Sequence, residues 1–149
     1  MLAHNSIVYT DKCLVKIQTI AKNSLVTYNI STVDKEDKIL HIPIVDVMCV
    51  GKQQVYELST ENGTFIRTTA DQKIYTNLGW KELSHIHEGD AVAVRIDFAI
   101  PPLKTFNSAW NTVTKIELSN IVDVYKFTIK SYNTIHHGFI NGILIHDCE

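Results

Sequence analysis

The amino-acid sequence predicts a single all-β domain, folded as a compact sandwich or a rolled sheet. β-branched and aromatic residues dominate, and apolar positions recur with a period near two, whereas a helix would give about 3.6. The apolar runs are short and are bounded by Gly, Asn, Asp and Pro, as is typical of strands joined by turns. A length of 149 residues suits one domain with one hydrophobic core.

Each expected strand is a run of apolar and β-branched residues that ends at a turn-forming residue. So many short strands fill a sandwich or a rolled sheet. In chain order the expected strands are Ile7–Thr10, Leu25–Ile30, Ile39–Val50, Val55–Ser59, Thr64–Thr69, Lys73–Thr76, Ala91–Ile96, Thr112–Glu117, Val122–Ile129 and Ile143–His146.

One hairpin can be placed from its turn residues. Asn62-Gly63 lies between the strand-like runs Tyr56–Ser59 and Thr64–Arg67. An Asn-Gly pair tolerates the positive φ angles of a tight turn, so these two runs are predicted to pair.

Helices are expected to be few and short. Leu14–Lys22 could form two helical turns, and Leu83–His87 could form one turn before Gly89-Asp90. Pro101-Pro102 and the polar run Thr105–Asn111 predict a surface loop, because a proline pair cannot lie in a central strand. An insertion or a break in the chain would be tolerated there.

The charge balance argues against a dedicated nucleic-acid binder. Fourteen basic and 16 acidic side chains give a formal charge of −2. No apolar run reaches the roughly 18 residues needed to cross a bilayer and no export signal is visible, so we expect a soluble, cytoplasmic chain without a membrane partner. Cys13, Cys49 and Cys148 form no C-x-x-C pair, which argues against a disulfide framework and a zinc site and favours a reducing compartment.

Both ends of the chain are apolar and strand-like, although terminal residues of most domains are polar and frayed. Met1-Leu2-Ala3 leads into the first strand, and Ile143–Ile145 runs into His146-Asp147-Cys148. A histidine, an acid and a thiol at a buried end are groups that acyl transfer at the backbone can use. The alternative is a C-terminal core strand with incidental polar residues, and these residues alone leave both open.

The whole pattern resembles an intein, a protein-splicing domain of the Hedgehog/intein (Hint) fold. Met1–Thr10 resembles the opening block, and Gly63–Lys73 resembles the second block, whose signature is Thr-x-x-His. Leu83–Val92 resembles the turn and Gly-Asp pair that come next. His136–Cys148 resembles the two closing blocks, which usually end in His-Asn before Cys, Ser or Thr. The similarity covers nearly the whole chain.

The resemblance implies a horseshoe-shaped rolled β-sheet with both termini in its centre and one or two short helices. Residues 1–147 would be the splicing domain, and residues 148–149 would be the start of the downstream flank, or C-extein. The length implies a mini-intein without an endonuclease domain, working as a monomer. Its partners would be the flanking extein segments of a host protein and, if it is naturally split, a complementary half. No cofactor is implied.

The resemblance also assigns roles in a single-turnover self-processing reaction. Residue 1, here Met1, would attack the preceding carbonyl and turn an amide into a thioester. Cys148 would then take over the acyl group, and Asp147 would cyclise onto its own carbonyl to release the ligated flanks. Thr69 would hydrogen-bond the upstream peptide, and Gln72 stands where a residue would protonate the departing amine.

His136 and His146 would assist cleavage at the downstream end, His146 by polarising the carbonyl that cyclisation attacks. Each assignment has a structural alternative, since Thr69 suits any strand and either histidine could simply be a hydrogen-bonded core or surface residue. The remaining histidines match no role and are expected to be structural, namely His4, His41, His85, His87 and His137.

Four positions depart from the intein pattern. Met1 has no nucleophile and, as the chain start, no upstream peptide, and Gln72 replaces a histidine that could move a proton. Asp147 replaces Asn and would have to form an anhydride in place of a cyclic imide. Lys126 stands where Asp is common. We therefore expect this form to be inactive, either altered to trap a precursor-like state, which Met1 favours, or naturally weakened.

The sequence thus leaves two functions from different classes. The first is autocatalytic protein splicing, and the second is a non-catalytic β-rich binding module that shares the fold. Splicing requires the Cα atoms of Met1 and Cys148 to lie within roughly 10 Å, beside Thr69 and His136, because acyl transfer needs close approach of the reacting atoms.

Overall fold

The computed structural model describes residues 1–23, 25–96 and 106–147. In these ranges the chain forms a 12-stranded antiparallel sheet. The strands are β1 Leu2–Ala3, β2 Ile7–Tyr9, β3 Leu14–Lys16, β4 Asn29–Val33, β5 Ile39–Thr60, β6 Phe65–Thr68, β7 Lys73–Thr76, β8 Gly79–Glu82, β9 Ala91–Arg95, β10 Ser108–Ile129, β11 His137–Ile140 and β12 Ile143–His146. The helix α1 spans Ile17–Lys22, and one turn of 3-10 helix spans Leu83–His85.

Two strands of 22 residues each, β5 and β10, form the long axis of the sheet. They pair from Thr60 opposite Val113 to Ile44 opposite Ile129. Their register shifts at several bulges, one of them where Gly51 has a φ of 105°. A bulge bends and twists a strand, so these long strands can curl around a core instead of lying flat.

Both chain ends lie inside the sheet. β1 is hydrogen-bonded between β6 and β10, with Leu2 opposite Thr68 and Tyr125. β12 lies between β11 and β7, with Ile145 opposite Gly138 and Ile74. This confirms the predicted all-β rolled sheet with both ends of the described chain in its centre.

The core is formed by the apolar faces of these strands. The largest side chains with almost no exposed surface come from both ends of the chain as well as its middle, and include Leu2, Ile30, Leu58, Ile66, Phe127, Phe139, Ile143 and Ile145. In the part of the chain that the structure describes, no helix is long and apolar enough to span a bilayer.

Some predicted elements differ from the observed ones. Leu25–Ile30 is wrong as a strand, because Leu25 is exposed and the strand begins at Asn29 and continues to Val33. Leu14–Lys22 is helical only from Ile17, since its first three residues pair with β2. Four of the predicted strands are parts of two longer ones. Ile39–Val50 and Val55–Ser59 lie in β5, and Thr112–Glu117 and Val122–Ile129 lie in β10. The short strands β1, β3, β8 and β11 were not predicted.

The predicted loop at Thr105–Asn111 is also partly wrong, because β10 starts at Ser108. The Asp37 carboxylate accepts hydrogen bonds from the backbone nitrogen of Asn107, at 2.7 Å, and from the Ser108 hydroxyl, which ties this start to the β4–β5 turn. Pro101-Pro102 lies outside the described residues.

The hairpin at Asn62-Gly63 is confirmed, with Ser59 opposite Phe65. Only Gly63 of the pair has a positive φ, 88°. The Asn62 side-chain oxygen instead accepts the Thr64 backbone N–H at 3.1 Å and so closes a wider loop than a two-residue turn.

Candidate functional site

The upstream end of the chain is held by the segment that follows β6. The N-terminal nitrogen of Met1 donates to Thr69 Oγ1 at 3.0 Å and to Gln72 Oε1 at 2.8 Å. The Thr69 backbone N–H donates to the Met1 carbonyl oxygen at 3.0 Å, which extends the β1–β6 pairing by one step. Residue 1 therefore has a fixed position, with two oxygen acceptors around its nitrogen.

The Thr69 hydroxyl is oriented by Asp71. Thr69 Oγ1 donates to Asp71 Oδ1 at 2.6 Å. Because the only hydroxyl hydrogen is used in this bond, the oxygen faces the nitrogen of residue 1 as an acceptor. The bond from Thr69 is the main cause that lowers the pKa of Asp71, against the opposing effect of burial. Sequence reasoning missed Asp71, although its place two residues after Thr69 in a tight turn was a usable signal.

Gln72 connects the two ends of the chain. Its side chain is buried, and its Nε2 donates to the His146 carbonyl oxygen at 2.8 Å and to the Lys73 carbonyl oxygen at 3.2 Å. Its Oε1 accepts from the Met1 nitrogen. The Gln72 amide thus accepts a hydrogen bond from residue 1 with its oxygen and donates one to His146 with its nitrogen.

The downstream end places a ring nitrogen beside the last described carbonyl. His146 Nδ1 lies 2.9 Å from the Asp147 carbonyl oxygen and 3.4 Å from Asp147 Oδ1. Since a carbonyl oxygen can only accept, Nδ1 carries the hydrogen of that bond. This arrangement polarises the carbonyl of residue 147.

The Asp147 side chain is buried and anchored. Its Oδ2 accepts the Ile129 backbone N–H at 3.1 Å, and its own backbone N–H donates to the His136 carbonyl oxygen at 2.6 Å. The His136 ring stacks on the His146 ring with centroids 6.0 Å apart. The segment of His136 thereby fixes both Asp147 and the ring of His146.

These groups surround one cleft of about 300 Å³, lined by Met1, Asp71, Gln72, Lys73, Lys126, His146 and Asp147. The structure therefore brings together the predicted site residues Met1, Thr69, Gln72, His136, His146 and Asp147. Cys148 lies outside the described residues, so its distance to Met1 stays a prediction. Lys126 lines the cleft because Tyr125, its neighbour in β10, pairs with Leu2.

An aromatic group that the sequence did not predict lies next to His146. Trp80 contacts the His146 and His137 rings, with centroids 5.2 and 5.5 Å away. His137 Nδ1 is 2.7 Å from Thr32 Oγ1. Burial, followed by the charges of His146 and His136, lowers the pKa of His137 to about 4, so this ring is neutral near pH 7.

Trp80 lies in β8, a strand that was not predicted. In the described residues no group of three or more His, Cys, Asp or Glu side chains is placed to hold a metal ion.

Sequence comparison gives a short match. No protein-family model matches the chain. A stretch of 59 residues, 38% of this chain, is 39% identical to the replicative DNA helicase DnaB of Rhodothermus marinus, of which it spans 6%.

Structural similarity extends over nearly the whole chain. A DnaB intein from Synechocystis sp. PCC 6803 superimposes with a TM-score of 0.83 and 21% identity, covering 99% of this chain and 98% of that one. A variant of the Ssp DnaB mini-intein gives 0.85 and 20%, covering 98% and 92%. The DnaX mini-intein from Spirulina platensis gives 0.76 and 20%, covering 98% of each chain. The chain therefore has the Hint fold of the mini-inteins.

Proposed function

We propose that this domain catalyses its own excision from a longer precursor, with ligation of the flanking segments. The observation that carries the proposal is the Gln72 amide, which bonds to the nitrogen of residue 1 and to the carbonyl of His146. Met1 and the His146–Asp147 segment, more than a hundred residues apart in sequence, thus lie at one cleft, as acyl transfer between two junctions would require.

The first step needs a nucleophile at position 1. In a form with Cys there, its sulphur attacks the preceding carbonyl carbon, the amide C–N bond breaks, and the nitrogen of residue 1 takes a proton. In the structure Thr69 Oγ1 and Gln72 Oε1 accept hydrogen bonds from the terminal amino group of Met1 at 3.0 and 2.8 Å. These contacts support a role for both residues in orienting the upstream junction.

The second stage takes place at the downstream junction. The Cys148 sulphur attacks the thioester carbonyl carbon, the bond from that carbon to the sulphur of residue 1 breaks, and the upstream flank passes to Cys148 as the thiolate of residue 1 leaves. Residue 147 then attacks its own carbonyl carbon, the bond to Cys148 breaks, and the released amine takes the acyl group from sulphur to restore a peptide bond. His146 Nδ1, 2.9 Å from that carbonyl oxygen, stabilises the negative charge that develops on it.

We propose that the chain with Met1 and Asp147 does not splice. Met1 carries a thioether, which cannot act as the first nucleophile. Asp147 is a carboxylic acid whose cyclisation gives an anhydride, a slower reaction than imide formation by Asn. The Asp147 side chain is buried, and an Asn of nearly the same size would fit there, which agrees with an Asn-to-Asp trap.

Restoration tests the proposal. The chain is made with Met1→Cys, Asp147→Asn and short peptides attached at both ends, and intact mass spectrometry follows the products. The expected products are the ligated peptides and the released domain. Unreacted precursor after days, in a protein whose circular dichroism is that of a folded β domain, would refute splicing.

A binding module is the second candidate function. A cavity of about 570 Å³ has aromatic walls that include Tyr75, Trp80, Trp110 and His137, and its size suits a small ligand. Folded but unreactive restored protein would favour this function.

The proposal includes flanking extein segments as partners and residue 147 as the last residue of the domain. The match to a short part of a long helicase agrees with a domain inserted into a host protein. We also propose that the domain works as a monomer, which size-exclusion chromatography with light scattering tests. If the natural protein is split, the partner is a complementary half of the same fold.

A further inference from the structure

The imidazole of His146 is enclosed by two other rings. His136 stacks on it at a centroid distance of 6.0 Å and an interplanar angle of 23°. Trp80 meets it in a T-shaped contact at 5.2 Å and 86°. A ring with a stacked neighbour and a perpendicular neighbour has little freedom to rotate.

Trp80 contacts two further rings besides His146. In the β7–β8 pair it lies opposite Tyr75, and the two rings are 4.9 Å apart. The His137 ring lies 5.5 Å from the indole on another side. β7 pairs with β8 and also with β12, through Ile74 and Ile145, so Trp80 and His146 lie in one hydrogen-bonded part of the sheet.

The groups around Trp80 restrain it by packing. His137 is neutral near pH 7, and its Nδ1 is engaged by the Thr32 hydroxyl. Aromatic pairs in tilted and perpendicular geometries attract one another beyond the effect of the buried area alone. The indole is thus a stable wall against which the His146 ring rests.

We propose that Trp80 is a positioning residue for the downstream junction: its indole holds the His146 ring in the orientation that directs the Nδ1 hydrogen at the Asp147 carbonyl oxygen. The inference rests on the proposed splicing function. Rotation of the imidazole would carry Nδ1 away from the carbonyl and remove the donor. Among the described residues, Trp80 does not line the cleft between the chain ends, so it would act through His146.

The kinetic test isolates downstream cleavage. In a chain with Asp147→Asn and a downstream peptide, Met1 is kept, so the upstream step is absent and only cleavage after residue 147 is followed by mass spectrometry. Trp80→Ala should slow this cleavage at least about tenfold, because a small misplacement of a catalytic group has a large effect on rate. Trp80→Phe, which keeps a ring against His146, should restore most of the rate.

Trp110 provides the matched control. It belongs to the same aromatic group and contacts Tyr75, with centroids 5.5 Å apart, and no ring contact joins it to His146 within the described chain. Trp110→Ala should leave the cleavage rate within about twofold of the parent. In a second chain with Cys at position 1, thiol-induced upstream cleavage should be unchanged by Trp80→Ala.

Three results would overturn the inference: a parent-like rate in Trp80→Ala, equal slowing of upstream and downstream cleavage, or equal slowing by Trp110→Ala. If the parent does not cleave at all, the proposed function fails, and the position of His146 is still measurable by NMR in the uncleaved chain. There the parent should carry the hydrogen on Nδ1, and Trp80→Ala should lose that preference. An unchanged tautomer in Trp80→Ala would refute the positioning role.

Discussion

The Thr69 hydroxyl illustrates how much at this site depends on hydrogen-bond direction. The Thr69 hydroxyl donates its only hydrogen to the Asp71 carboxylate, so its oxygen can act only as an acceptor towards the nitrogen of residue 1. A serine can make the same two bonds, whereas alanine can make neither. The site therefore depends on the hydroxyl group and on its orientation by the neighbouring carboxylate.

Thr69→Ala in the restored chain should slow upstream cleavage far more than downstream cleavage, because Thr69 contacts residue 1. We expect a loss of about 10- to 100-fold upstream, the size of effect that one preorganised hydrogen-bonding group has on a reaction rate. Thiol-induced release of the upstream peptide measures it, and Thr69→Ser is the matched control. Equal slowing of both cleavages would indicate a general folding defect instead.

Gln72→His in the restored chain should accelerate upstream cleavage, since an imidazole can pass a proton to the departing nitrogen and an amide cannot. The gain should be about 100-fold or more and should fall off as the pH moves away from the histidine pKa of about 6.5. A rate-against-pH profile of both proteins checks this. A flat profile at the rate of the Gln72 protein would refute the role assigned to this position.

His137 should make stability pH-dependent. Its folded pKa of about 4 lies below the unfolded value of 6.5, so the unfolded chain binds more protons between these values. The contribution of neutral His137 is therefore fully present above pH 6.5 and is lost as the pH falls towards 4. Through this effect, the free energy of unfolding measured in urea should be lower by roughly 3 kcal/mol at about pH 4 than at about pH 7.5. His137→Gln should show a smaller decrease, and an equal decrease would contradict the prediction.

At the scale of elements, β11 shows how closely the strands approach one another. An added Cβ at Gly138 would meet the fully buried Ile30 side chain of β4, with Cγ1 at 2.6 Å and Cδ1 closer still. Gly138 is therefore required by packing, and its own neighbours in sequence give no sign of that.

Gly138→Ala should destabilise the fold by about 1 to 3 kcal/mol, as overpacking of a dense core does. Ile30→Val removes the closest methyl group, so the double variant should be more stable than the sum of the two single effects predicts. Urea unfolding of the four proteins measures the coupling. Strict additivity would show that the two side chains do not compete for the same space.

The sequence located most strands but not their limits. Alternation identifies β2 and β7, which each bury one face, and short apolar runs identify β9 and β12, which are buried on both faces. Bulges interrupt that alternation, so β5 and β10 were each predicted as two pieces. The local pattern of β3 predicts the start of a helix. Its pairing with β2 overrides that pattern, so the prediction was wrong there.

At the site too, some residues were predicted from the sequence and others were not. The residues that bond to Met1 and Asp147 were predicted through the resemblance, because they occur in sequence motifs. Trp80 and His137 make their contacts across strands, and no local pattern predicts those contacts, whereas Asp71 bonds to Thr69 within one turn. Trp80 in particular lies in β8, a strand whose four residues are all only partly buried.

At the scale of the whole molecule, folding depends on pairing between residues far apart in sequence. β1 has partners in β6 and β10, and β12 has partners in β7 and β11. Neither end can be placed until the rest of the sheet exists. Sheets rich in such pairings fold slowly compared with helical bundles.

The convergence of the ends predicts a cross-link. With Met1→Cys, mild oxidation should join position 1 to Cys148, because a disulfide forms when Cα atoms lie within about 7 Å. Peptide mapping by mass spectrometry identifies the bridge. His4→Cys is the matched control and should not cross-link, since His4 bonds to Asp123 at the far end of β1. Free thiols at both positions 1 and 148 would show that these two Cα atoms do not come within about 7 Å of each other.

The Gln72 amide has a consequence for the order of events. While residue 1 is joined to an upstream flank, its nitrogen has a single hydrogen, which two oxygen atoms must share. Once the flank has moved to sulphur, an ammonium group supplies a hydrogen to each. A charged donor forms the shorter and stronger bond, and the polarised amide then binds the His146 carbonyl more tightly. In the proposed splicing reaction, the first step would thereby make the second junction more rigid before its own bond breaks.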